Sequence, residues 1–174
     1  MSFFKRLFGK GRSDAATAAL YAALVAAARR PHWYLEGKVP DTIDGRFEMV
    51  AAMLSLALLR LEREGKACAA ESALLTETFV RDMDGQLREI GIGDVVVGKH
   101  IGKMMSALGG RLGAYRTALQ ADGDLGVALV RNLYRNEAPE RAALDFVGAR
   151  LRALDAALAT MAPTELLAGK WPEA

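Results

Sequence analysis

Cys68, His32 and His100 are the side chains in this sequence with the most obvious reactive potential, and Cys68 is the sole cysteine. A nucleophilic thiol needs a neighbouring base or cation to hold it as thiolate. Neither histidine lies near Cys68 in the sequence, so the residue reads as a small buried apolar group or an inert thiol at a helix end. One cysteine and two histidines without ligand spacing also make a poor zinc site. No metal, no cofactor and no catalytic residue is expected.

Gly93-Asp-Val-Val-Val-Gly98-Lys99-His100 comes one residue short of the phosphate-binding pattern GxxxxGK[ST]. That loop works by wrapping backbone amides around phosphate and placing a hydroxyl on magnesium. His100 supplies no hydroxyl, three valines fill the middle, and a helix precedes the loop where a strand belongs. A tight helix–helix connection accounts for the glycines better. The acids and bases Glu77, Arg81, Asp82, Asp84, Arg88 and Glu89 crowd one segment. Glu77–Arg81 and Asp84–Arg88 stand four residues apart, as helical ion pairs do. Asp82 and Glu89 are left without an obvious base, and a partner-facing edge fits this pattern better than a catalytic dyad.

The elements that carry these residues read as helices throughout. A first helix is expected from an N-cap at Ser13 or Asp14 to Arg29 or Arg30, with Leu20, Leu24 and Ala28 as its stripe. Residues 31–45 hold two prolines, two glycines and the aromatics Trp33 and Tyr34, and read as an ordered connector. Thr42 or Asp44 then caps a helix running to about Glu64, stopped by Gly65 and apolar on nearly every side, so it belongs at the centre of the fold. The Phe47 ring at its start should be buried. A third helix covers about 71–90, with Leu75, Phe79, Met83, Leu87 and Ile90 on one face. After a loop at 92–97, a fourth runs from Gly98 or Lys99 to about Ala121, straight through Gly109-Gly110. Its paired glycines (98 and 102, 109 and 113) suggest a neighbouring helix packed at short range. Asp124 caps a fifth helix, and Pro139 opens a sixth with the stripe Leu144, Val147, Leu151, Leu154, Leu158 and Met161. The expected fold is all-α, a bundle of about six to seven helices around one apolar helix.

Charge separates two parts of the chain. Residues 1–12 carry Lys5, Arg6, Lys10 and Arg12 with no acid, which leaves the remainder slightly acidic although the whole chain is +2. The body therefore lacks the basic excess of a nucleic-acid binder, and no specific nucleic acid is expected. As a helix, the tail places Phe3, Phe4, Leu7 and Phe8 to one side of Lys5, Arg6 and Lys10, the pattern of a contact with an anionic membrane surface. The organisation expected is a basic aromatic tail over 1–12 and a single helical domain over 13–174. The 174 residues contain no stretch long and apolar enough to span a bilayer and no signal-peptide core. The expected location is cytoplasmic, with peripheral contact at the inner face of the inner membrane.

Several segments in order resemble the ubiquinol–cytochrome c chaperone family. They are Val39-Pro-Asp-Thr-Ile-Asp-Gly-Arg-Phe-Glu48, Phe79-Val-Arg-Asp-Met-Asp84, Leu87-Arg-Glu-Ile-Gly-Ile-Gly-Asp94, Val97-Gly-Lys99, and Gly110-Arg111 with Tyr115. The resemblance implies a bacterial relative of the mitochondrial factor that receives new cytochrome b and supports assembly of respiratory complex III. It implies a protein-binding chaperone and no enzyme, with newly made cytochrome b, the ribosome or a second assembly factor as partners. The residues expected at such contacts are Trp33, Tyr34, Asp44, Arg46, Asp82, Asp84, Arg88, Glu89, Asp94, Lys99, Arg111 and Tyr115. The alternatives are a general helical interaction scaffold and a nucleotide- or small-ligand-binding module.

Overall fold

The computed structural model describes residues 3–89 and 94–173, and side chains for residues 15–86 and 106–173. Among the described residues the chain is helical and without strands. Helices α1 (Phe3–Ala28), α2 (His32–Leu35), α3 (Ile43–Glu62), α4 (Ala69–Glu89), α5 (Asp94–Ala118), α6 (Leu125–Asn132), α7 (Arg141–Thr160) and α8 (Pro163–Leu167) follow in order. A 3₁₀ turn, Gly65–Cys68, links α3 to α4.

Helix α3 is the axis on which the others pack. Thr42 caps it by accepting the Gly45 amide at 3.1 Å, and its run Glu48–Leu61 is buried on every side. Helices α1, α4, α5 and α7 all lie against it. Leu20, Leu24 and Ala28 of α1, Leu75 and Phe79 of α4, and Val147, Leu151, Leu154 and Leu158 of α7 close one continuous apolar core. Burying each such leucine or phenylalanine is worth about 1.5–3 kcal/mol. Leu144 and Met161, at the two ends of the α7 stripe, are only half-buried. Arg60, buried near the end of α3, donates to the Met161 carbonyl at 2.7 Å and to Glu64 at 2.7 Å, which satisfies the carbonyl of the residue that caps the C-terminus of α7.

Four expectations are corrected here. Helix α1 continues back to Phe3, so Ser13 and Asp14 lie within it and do not begin it. The connector contains a one-turn helix, because Pro31 with its fixed φ can open a helical turn as readily as it closes one. Helix α5 begins at Asp94, so Val95–Val97 are helical and do not form the loop that phosphate binding requires. Phe47 is half-buried, packed 5.8 Å from Phe79 between ring centroids. Among the described residues, no helix is long and apolar enough to cross a membrane.

Candidate functional site

The residues singled out by the sequence fall into three places. The first is a joint between α3 and α5. Glu48 follows Phe47 in the opening turns of α3 and turns into the protein, its side chain only 7% exposed. Arg111 reaches it from α5, its Nε 2.6 Å from one carboxylate oxygen while a second guanidinium nitrogen bonds the other. The guanidinium also lies 5.6 Å from the centre of the Phe47 ring. Burial pushes the Glu48 carboxyl above its ordinary pKa, and the Arg111 charge opposes that only in part. Tyr115, one turn beyond Arg111, is buried, and its hydroxyl is pushed well up by burial and then by the nearby Glu48 charge. Arg111 and Tyr115 were expected at a partner surface. They serve the interior instead, because Arg111 is committed to Glu48 and Tyr115 has no exposed face.

The second place is the α4 edge. Asp82 is not the unpaired acid expected: it accepts the Tyr21 hydroxyl at 2.7 Å and the Gln86 amide at 3.1 Å, tying α4 to α1. Burial, followed by this bond to Asp82, raises the Tyr21 pKa. Asp84 is half-buried two residues before the end of the described side chains. Arg88 and Glu89 lie in the last turn of α4, while Asp94 and Lys99 lie in the opening turns of α5. Their side chains are outside those described, as are those of Phe3, Phe4, Lys5, Arg6, Leu7 and Phe8 in the first turns of α1. The close helix packing expected around Gly109 and Gly113 is absent among the described residues. A Cβ built on Gly109, Gly110 or Gly113 meets no atom within 4 Å.

The third place is the connector, and its local chemistry explains its order. Trp33 is 2% exposed and donates its indole N–H to the Ala27 carbonyl at 2.8 Å. The Tyr34 hydroxyl donates to the Ala28 carbonyl at 2.9 Å. Tyr34 thus satisfies a carbonyl at the end of α1, and Trp33 adds a second donor to the Ala27 carbonyl, which also accepts the Arg30 amide at 3.3 Å. Trp33 offers nothing to a partner in this arrangement, contrary to expectation. Tyr134 donates to the Gly37 carbonyl at 2.5 Å, and its burial pushes its pKa up to about 12. Gly45 tolerates no side chain, since a Cβ there would sit 1.9 Å from the Pro40 carbonyl oxygen. Arg46 and Asp44 remain exposed. Arg46 bonds Asp41 at 2.6 Å, and Asp44 accepts from Arg135.

Cys68 is buried on the 3₁₀ turn, and desolvation raises its thiol pKa, the opposite of what nucleophilic activation requires. His32 packs at a 60° tilt against Trp33 with centroids 4.4 Å apart, and burial followed by the Arg150 charge lowers its pKa. Among the described residues, no three His, Cys, Asp or Glu side chains are grouped to hold a metal ion.

Sequence reasoning missed Glu48 as the buried partner of Arg111, and it missed Arg29, Leu35 and Ile43 on the connector face. A lone acid inside the most apolar helix was the available signal for Glu48, since an ion buried there needs a partner. Nothing in the sequence identified that partner.

The sequence profile of the ubiquinol-cytochrome C chaperone family matches residues 35–174. The crystal structure of the Cbp3 homolog from Brucella abortus is similar over 99% of this chain and 97% of that one, with a TM-score of 0.83 and 32% sequence identity. No curated protein matches the chain.

Proposed function

Because the chain belongs to the ubiquinol-cytochrome C chaperone family, we propose that it is a non-enzymatic assembly factor for respiratory complex III, holding newly made cytochrome b or a companion assembly protein. The observation that carries this reading is the joint extent of the two similarities, with the family profile reaching from the connector to the C-terminal end and the Cbp3 homolog matching almost the whole chain. The interior chemistry supports it: the titratable residues at the centre are tied into joints between helices, and the described thiol is buried with a raised pKa. A chaperone requires surfaces, and its polar interior then has only to hold those surfaces in place.

The contact surfaces proposed are the exposed part of the connector, with Tyr34, Asp44 and Arg46, and the α4–α5 end, with Asp82, Asp84, Arg88, Glu89, Asp94 and Lys99. The basic aromatic start of α1, Phe3 to Phe8, is proposed to rest on the anionic inner face of the membrane where the client emerges. Crosslinking in intact cells followed by capture of this protein from the membrane fraction tests the reading. Cytochrome b or a ribosomal protein should be recovered, and recovery of neither would set the proposal aside. A chain lacking residues 2–12 should keep its melting temperature and lose sedimentation with anionic liposomes.

A further inference from the structure

The end of α1 and the connector form an open cleft of about 310 Å³ lined by Arg29, Pro31, Tyr34, Leu35, Asp41 and Arg46. Its parts are unequal in a way that points to an occupant. Tyr34 is a fixed wall, because its hydroxyl is bonded to the Ala28 carbonyl and its ring packs against the core. Asp41 and Arg46 neutralise each other across one side. Arg29, on the other side, is exposed, and its guanidinium has no acceptor among the described residues. Leu35 on the lip is 65% exposed. Ile43, three residues before Arg46 and so on the same side of α3, is 72% exposed. These are two of the three large apolar side chains that stand out into solvent among the described residues. Nothing in the fold explains their exposure, whereas the tie of Trp33, Tyr34 and Tyr134 to backbone carbonyls makes the cleft a preformed feature.

From the free cation beside an apolar lip we infer that this cleft docks an extended acidic segment of a partner protein, an Asp or Glu carboxylate meeting Arg29 while a neighbouring apolar side chain covers Leu35. An Arg–carboxylate contact fixes the position of such a segment, and the apolar contact supplies most of the affinity. The inference deepens the protein-binding reading above, yet its test uses no component of complex III, so either can fail alone.

Random ten-residue peptides displayed on phage should be selected on the immobilised full chain and then on Arg29→Glu and Leu35→Ser. Both residues are exposed, so both variants should melt within a few degrees of the parent. The expected result is enrichment of peptides with an acid next to an apolar residue, each bound at least tenfold more weakly by either variant. Enrichment without acids, no enrichment, or equal binding to Arg29→Glu would overturn the inference. Loss of binding to phosphatidylserine vesicles in Arg29→Glu, without peptide selection by the parent, would also overturn it and assign the cleft to a lipid surface.

Discussion

Helices α3 and α5 pack side by side and share the Glu48–Arg111 pair, yet they use their surfaces in opposite ways. Every turn of α3 after Phe47 meets another element, and its serine and arginine are bonded inward, Ser55 to the Ala51 carbonyl and Arg60 to Met161. Along the described part of α5, Leu108, Tyr115 and Ala118 face the core, while Gly109, Gly110 and Gly113 face open space. Small residues on a helix usually allow a neighbour to approach closely. Here no neighbour among the described residues does so, and against those residues the glycines cost helix stability without a gain from packing. Apolar content therefore explains α3 completely, and small size does not explain α5.

The largest effect should come from cutting the link between the two helices. Arg111→Leu leaves the Glu48 carboxylate buried without its cation, which should cost about 3–5 kcal/mol in denaturant unfolding at pH 7. The sign with pH follows from Glu48, whose folded pKa already lies above its unfolded value. In the variant the folded state takes up this proton at higher pH than the unfolded chain does, so stability should rise as pH falls from 7 towards the unfolded carboxylate value. A deficit independent of pH would mean that Glu48 is not the group left exposed to the loss. Replacing both residues, with Glu48→Met and Arg111→Leu together, should recover much of the deficit.

Leu54→Ala, at the fully buried centre of α3, should cost about 2–5 kcal/mol. A loss below 1 kcal/mol would contradict the placement of α3 as the central helix. A smaller effect belongs to Asp124, whose carboxylate accepts the Val127 amide at 3.0 Å at the start of α6. Asp124→Ala should cost about 1 kcal/mol, read as a lowered melting temperature.

The smallest expected change has the opposite sign. Gly109→Ala and Gly110→Ala should each stabilise the protein by about 0.5–1 kcal/mol, because a methyl group fits there and the unfolded chain loses freedom. Destabilisation would show that another element does pack on this face. Stabilisation accompanied by lost client capture would make the face a docking surface.

Much of the fold was legible because its signals are local. Thr42 and Asp124 cap the helices they were expected to cap, Gly65 turns with φ +59° just after α3, and the stripes of α1 and α7 and the described part of the α4 stripe, Leu75, Phe79 and Met83, face the core, while Leu87 and Ile90 lie outside the described side chains. The errors arose where local signals compete. Ser13-Asp14 has the chemistry of a cap, but nothing before it stops a helix, so α1 runs through. Three valines between two glycines look like a loop, yet the helix starts at Asp94 and carries them. The candidate site was less legible, since its main joints are long-range. Glu48 and Arg111 are 63 residues apart, and Tyr21 and Asp82 are 61 apart. Residue types and the family resemblance suggested that Trp33, Arg111 and Tyr115 were contact residues, and only the fold reveals that each is committed inside.

The most direct test of the central claim is the amount of assembled complex III in membranes of cells lacking this protein, measured by native electrophoresis with detection of cytochrome b. The account predicts that the complex is lost or sharply reduced while other respiratory complexes remain, and that the parent protein restores it. Normal complex III in those membranes would contradict the account.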